Sequence, residues 1–374
     1  MEGRVILAWL EQALGVMLMF LVLLDVFLTV LYARAGAGVI SHQLAFIVWQ
    51  FFLGVSKNAG RRRGDVLSFC GPVIVVTFLL VWALALTCGA ALIIHPHLGT
   101  SVTKSSGSTP TDFITALFAG GSSMSIVGAG DFSPQTSAFR LFYLFTSLVG
   151  TAVISLTVSY LLQVYSGLRQ RNAFGLNLHL ATAETGDAAE VIAGVGPHGQ
   201  FEAGYSDLSD LGTTIGAVKE AHHFYPILFY FRFREPYYSV SRAALVSLDT
   251  ATLIKSALDE DAYGWFMQSG AVGHLWRASL LLVTTLEETF LPGGGPTQQA
   301  PPDPATRERW RRRYVAALQR LRTAGINTIA DEHAGAERYI ELRSSWDQHI
   351  TMLAPSLAYT MDDIDPVGHH PDSA

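Results

Sequence analysis

The sequence predicts an all-α membrane protein with a mainly helical soluble C-terminal domain, and three observations predict it. Half of the 374 residues are hydrophobic and only 15% are charged, against about 25% in an ordinary soluble domain. The charge is unevenly divided: residues 1–171 carry ten Lys+Arg against six Asp+Glu, and residues 172–374 carry fifteen against twenty-five. The first part also holds apolar runs long enough to cross a bilayer core of about 30 Å, which takes about 20 helical residues. A net charge of −6 leaves no basic excess to neutralise phosphates, so nucleic acid is excluded as a partner. Cys70 and Cys88, the two cysteines, exclude a disulfide scaffold and a four-thiolate metal site. On one helix they lie about 27 Å apart, too far to bond.

Three runs have the length of a span: residues 6–31, interrupted by Glu11 and Asp25, and the uncharged runs 72–94 and 141–165. The shorter run 38–55 contains His42 and Gln43. Its strongest apolar residues, such as Ile40, Leu44, Ile47 and Phe51, recur at helical spacing. It reads as an interfacial helix, with a fourth span as the competing reading. Arg34, Lys57 and Arg61–Arg63 cluster between the first two long runs, Arg169 and Arg171 follow the third, and residues 96–110 carry only Lys104. The positive-inside rule then expects a multi-pass protein of the cell membrane with the 96–110 loop outside and the C-terminal domain cytoplasmic. The first run is too long for a signal-peptide core and reads as an uncleaved anchor. The expected domains are residues 1–69, 70–171 and 172–374, with an outer helix at 72–94.

Between the outside loop and the third run lies Thr109-Pro-Thr-Asp, an apolar stretch, and Ser125-Ile-Val-Gly-Ala-Gly-Asp131. Thr109 reads as an N-cap, Pro110 as the first helical residue and Asp112 as the completion of a capping box. The helix, over 110–123, is about 20 Å long and too short to cross. It must enter from outside and stop within the membrane. The irregular backbone behind it is tolerated at that depth only when buried in protein or facing a wet cavity.

Ile126-Val127-Gly128-Ala129-Gly130, with Ser125 before and Asp131 after, resembles the filter of the potassium-channel pore family, Thr-Val-Gly-Tyr-Gly. The order of elements over residues 70–170 resembles that family too. The stretch 24–31, Leu-Asp-Val-Phe-Leu-Thr-Val-Leu, adds a weaker likeness to its bacterial members. The resemblance implies a tetrameric cation-channel pore module: outer helix, re-entrant pore helix, filter over 125–131 and an inner helix over 138–168. It implies a homotetramer in a lipid bilayer that passes potassium, with no cofactor beyond the permeant ion. Carbonyls that replace an ion's water need a backbone glycine adopts at little cost, which points to Gly128 and Gly130. Ile126 and Ala129 depart from the family pattern at the innermost ion site and at the bracing tyrosine. They leave two alternatives open: a non-selective cation pore, and a non-conducting receptor with a decayed pore.

On the inner helix Ser147, Thr151, Ser155 and Ser159 recur every four residues, as a hydrated stripe or a helix-packing stripe. Gly150 reads as a hinge or a point of close approach. Asp25, an acid inside a span, calls for a partner, on the outer helix or the 38–55 helix. An enzyme is not expected, since Ser122 and Ser125 have no histidine in the second or third run to activate them.

In the soluble part, helices are expected over 207–224, 238–258, 262–290, 304–325 and 333–357. Residues 278–286 read as buried core, the aromatic stretch 224–233 as core, 292–304 as a linker and the last ten residues as disordered. His222-His223 and His369-His370 read as solvated. The basic run Arg309, Arg311, Arg312, Arg313 faces solvent or an acidic helix, with Asp259-Glu260-Asp261 a candidate partner. No nucleotide, EF-hand or phosphate-loop motif appears, so the regulatory ligand is unknown.

Overall fold

The computed structural model describes residues 2–32, 38–125, 128, 130–291, 293–296 and 301–366. These residues form an all-α membrane protein. The chain divides into two compact units, Met1–Gln50 with Pro72–Tyr165, and Phe51–Gly71 with Ser166–Ala374.

In chain order the first helices are α1 (Glu2–Val26), extended by a π-helical turn Phe27–Leu31, then α2 (Val39–Ser56), the short α3 (Arg63–Ser68) and α4 (Cys70–Ile94). Strand β1 (Val102–Lys104), α5 (Phe113–Met124), strand β2 (Phe132–Pro134) and α6 (Ser137–Ala181) follow. Four helical stretches, Val5–Leu31, Val39–Ser56, Cys70–His97 and Ser137–Ala181, are long and apolar enough to cross a membrane. The 38–55 run therefore has the length of a fourth span. Ser41, Ala45 and Trp49 are buried, while Phe46, Ile47 and Phe51 are exposed together with His42, Gln43 and Gln50.

α1 and α4 run antiparallel. A Cβ on Gly15 would lie 2.6 Å from the carbonyl oxygen of Gly89, and one on Gly89 2.5 Å from Met19 Cγ. The two glycines let the helix backbones touch, as small residues do in bilayers. Met19, Val22, Phe78, Trp82 and Leu86 are buried.

α6 has 45 residues, about 67 Å at 1.5 Å per residue. It continues well past the expected end at residue 168 because no proline interrupts it. It stops where Ala183, Glu184 and Gly186 take positive φ.

The second unit holds α7 (Ala188–Val195), α8 (Gly204–Phe224), α9 (Val240–Ala257), α10 (Glu260–Met267), α11 (Gly270–Phe290), α12 (Pro304–Thr323), α13 (Glu332–Ser344), α14 (Asp347–Ser356) and α15 (Met361–Ile364); α7 and α11–α15 pack on the nearly fully buried α9, and α8 on α11. The expected helix 262–290 is two, because Ser269 caps α11 by accepting from the Val272 amide. The expected 333–357 is also two. The break falls at Trp346, which is buried with its Nε1–H donating to Thr252. Residues Ile227–Phe231 are core, as the aromatic stretch led one to expect, with Phe229 stacked on Phe290 at 4.0 Å. Buried Arg171 donates to the carbonyls of Leu228 and Phe231 at 2.8 and 2.7 Å.

Two expectations are corrected here. His222 is not solvated: it is 2% exposed, and Nδ1 bonds the Val218 carbonyl at 3.0 Å. Burial, reinforced by Arg171, pushes its pKa down to about 3. The basic run does not pair with residues 259–261 through the contacts it makes. Arg311 bonds Glu308 and Glu337, and buried Arg313 bonds Asp249 and Asp365. Arg343 joins the same buried carboxylates, and Tyr339 donates to Asp249 at 2.7 Å. His369, His370 and the last residues lie outside the described ones.

Candidate functional site

The site grows from α5. Its N-cap is Asp112, not Thr109: the Asp112 carboxylate accepts from the Thr115 amide at 2.9 Å and the Thr115 hydroxyl at 2.7 Å. The Thr109 hydroxyl is occupied instead by the Lys104 amide, at 2.9 Å. The helix thus begins three residues later than expected and has 12 residues, about 18 Å, still too short to cross.

Two glycines set where it lies. A Cβ on Gly120 would sit 2.9 Å from the Ala91 nitrogen and 3.1 Å from the Thr87 carbonyl, so α5 rests directly on α4. A Cβ on Gly150 would clash with the Met124 carbonyl oxygen at the last turn of α5. Gly150 therefore serves close approach of α6, and α6 is continuous through it. Buried Thr146 donates to the Ser123 hydroxyl at 3.1 Å and pins the same corner. Ala91, Ile94, Ala116, Ala119 and Phe132 form the apolar core around it.

Ser125 ends α5 and its hydroxyl bonds back to the Ser122 carbonyl at 3.2 Å. Gly128 has φ 79°, the left-handed conformation glycine tolerates. Its N–H donates to the Ser125 carbonyl at 3.1 Å. Gly128 and Gly130 are exposed, and a Cβ on either would meet nothing within 4 Å among the described residues. Ile126, Val127 and Ala129 lie outside the described residues.

Beyond the glycines the chain is tied to the outer loop. β2 pairs antiparallel with β1, Val102 opposite Pro134 and Lys104 opposite Phe132. The Ser105 amide donates to the Asp131 carbonyl at 2.8 Å, and the Ser105 hydroxyl to the Gly130 carbonyl at 3.3 Å. Asp131 is exposed and is held here by its backbone. The ribbon was not foreseen from sequence. Three-residue strands carry too little alternation to be read.

On α6, Ser147 is half-buried while Thr151, Ser155 and Ser159 are exposed. Within one chain this stripe is left free rather than packed. Leu141, Leu144, Leu148, Ile154 and Leu162 are exposed too, and at about 100° per residue they fall on the same side of the helix as the hydroxyls, so this exposed face of α6 mixes Ser and Thr with aliphatic side chains.

Asp25 is 2% exposed and joins three helices. Its Oδ1 accepts from the amides of Ile40 and Ser41 at 2.8 and 3.3 Å, which caps α2 from another helix. Its Oδ2 accepts from the Ser41 hydroxyl at 2.5 Å and from Trp82 Nε1–H of α4 at 2.9 Å. Glu11, the other acid of the first run, pairs with His95 at 2.7 Å, and Gln12 with His97. Sequence reasoning missed Trp82, Ser41 and His95. The signal was the pair of acids in an apolar run, each of which had to have a partner. Among the described residues no group of three His, Cys, Asp or Glu is placed to hold a metal ion.

The chain is similar to the uncharacterized membrane protein YdjJ of Bacillus subtilis (strain 168), with 24% identity over 292 residues, 78% of this chain and 81% of that protein. No family model matches the chain, and no solved structure matches it.

Proposed function

We propose that the chain is the subunit of a homotetrameric cation channel of the cell membrane, conducting potassium passively, with its C-terminal domain in the cytoplasm. One observation carries this reading. A capped 12-residue half-helix, seated by Gly120 and Gly150, delivers a glycine-punctuated segment whose Gly128 is left-handed and open on the side away from the chain's own core. Four such segments around an axis would give a ring of backbone oxygens, the device by which a filter replaces an ion's hydration shell. The C-terminal end of α5 adds partial negative charge at the inner side of the segment. The unpacked hydroxyls of Thr151, Ser155 and Ser159 suit the wall of a wet passage below it. The β1–β2 ribbon supports the outer end, where Ala129 cannot supply the brace of a tyrosine.

A second reading, a cation pore without potassium selectivity, is favoured by a specific feature. The carbonyls of Ser125 and Gly130 accept hydrogen bonds from Gly128 N–H and the Ser105 hydroxyl, which leaves fewer oxygens free to coordinate. Purified protein in planar bilayers under a potassium gradient tests both. A reversal potential near the potassium value supports the first reading, and robust current reversing near zero supports the second. The absence of current from an intact tetramer refutes both. Gly128→Ala is expected to abolish the current, because alanine resists φ 79°.

A further inference from the structure

Six arginines of the second unit, Arg307, Arg311, Arg313, Arg320, Arg322 and Arg343, each have a carboxylate within 3.3 Å. Among the described residues Lys255, Arg277 and Arg338 form no ion pair, although residues 172–374 are acidic overall. They come from three helices, α9, α11 and α13, and they converge. Lys255 and Arg338 line a surface cleft of about 370 Å³ with Met267, Ser269, Gly273 and Glu260. The Arg277 guanidinium stands beside Gly273. Lys255 is half-buried, its ammonium 4.9 Å above the Trp276 ring. Its pKa is lowered by burial and then by repulsion from Arg277 and Arg338.

Like charges gathered without counter-charge destabilise the free fold. An anion that enters the cleft relieves that repulsion, so the cost of assembling the cluster is recovered as affinity. Three cations against the single carboxylate of Glu260 leave a local charge of about +2, matched to a phosphate dianion or a diphosphate. Planar guanidinium groups suit bidentate contact with phosphate oxygens, and a lysine head supplies a point charge. The 21-residue α11 begins at Gly270, directly after Ser269 in the cleft wall, and its positive end adds to the field. We propose that the cleft between α9, α11 and α13 is a binding site for a phosphate-bearing anion, with Lys255, Arg338 and Arg277 as its ligands and Glu260 as the group that limits its charge. The site stands whether or not the membrane unit conducts.

The test uses the full chain in nanodiscs of zwitterionic lipid, titrated calorimetrically with inorganic pyrophosphate. Saturable binding is expected. Arg338→Gln and Lys255→Met should each weaken it about tenfold, the loss of one charge-assisted contact, while the melting temperature of the free protein stays at or above that of the wild type. Glu260→Gln should tighten it. A second arm uses nanodiscs containing phosphatidic acid and no soluble phosphate. Hydrogen-exchange protection over 255–277 and 338–342, together with competition against pyrophosphate, assigns the phosphate to a lipid headgroup, whereas binding only in the first arm assigns it to a free anion. No saturable response in either arm, or affinities indifferent to Arg338→Gln and Lys255→Met in folded protein, overturns the proposal.

Discussion

Asp25→Ala tests whether one carboxylate locks three helices of the membrane unit together. The alanine removes four accepted hydrogen bonds at once: from the Ile40 and Ser41 amides, the Ser41 hydroxyl and Trp82 Nε1–H. The two amides belong to the first turn of α2 and have no intrahelical acceptor to return to. Interhelical hydrogen bonds in bilayers average about 0.6 kcal/mol, which sets a floor of roughly 2–3 kcal/mol for four. Each buried N–H left without an acceptor costs about 1–3 kcal/mol, so the three stranded N–H groups raise the loss above that floor. Asp25→Asn does not rescue it. Whichever oxygen becomes an NH2 then faces donors, and while the Ser41 hydroxyl can turn to accept, an indole or amide N–H cannot. Trp82→Phe removes a single donor and is expected to cost about 1 kcal/mol. The assay is reversible unfolding in detergent, with the double variant Asp25→Ala/Trp82→Phe closing a thermodynamic cycle. Because both changes act on the same bond, the double variant should be less destabilised than the sum of the two. Wild-type stability in Asp25→Ala, or strict additivity in the cycle, refutes the lock.

Gly150→Ala drives a methyl group into the Met124 carbonyl and should destabilise the α5–α6 contact by about 1–3 kcal/mol. Single-channel recording should show conduction lost or strongly reduced; wild-type current and melting would contradict the packing role. His222 titrates near its ordinary 6.5 when unfolded and at about 3 when folded. The unfolded chain therefore binds the extra proton between those values. Stability rises with pH across that window and falls by up to about 1.4 kcal/mol per unit as the medium is acidified. Urea unfolding between pH 4 and 7 should show this slope, and His222→Phe should flatten it. Asp249→Asn leaves Arg313, Arg343 and Tyr339 short of an acceptor in the core and should cost about 3–5 kcal/mol in the same unfolding experiment, unaltered stability being the contrary result.

What was legible followed from continuous signals. Apolar length marked α1, despite Glu11 and Asp25, and the uncharged runs marked α4 and the apolar part of α6; the Pro-Thr-Asp start followed by an apolar dozen marked α5. Caps were legible by type but not by address. Thr109, Thr111 and Asp112 all have the chemistry of an N-cap, and the outcome turned on Lys104, whose amide occupies the Thr109 hydroxyl. Short-range capping chemistry offers several residues; a contact from a distant loop selects among them. The same holds in the soluble domain, where the ends of α10 and α13 depend on Ser269 as a cap and on burial of Trp346, and periodicity runs straight through both.

Interhelical register is the part no single-helix pattern encodes. Asp25 announced that it needed a partner on α2 or α4, and it has one on each, yet nothing in the apolar run singled out Ser41 or Trp82. Glycines carry that missing information in a form that becomes readable only when the partner is known. Gly15 and Gly89 look like propensity costs in their own helices, and Gly150 reads equally as a hinge or as a point of close approach. Each is the place where a Cβ would strike another backbone or side chain. The end of α5 at Ser125, from which the glycine segment departs, is therefore placed by Gly120 and Gly150, which bring α4 and α6 against α5. A variant that fills either gap is expected to disturb the segment as severely as a change within it.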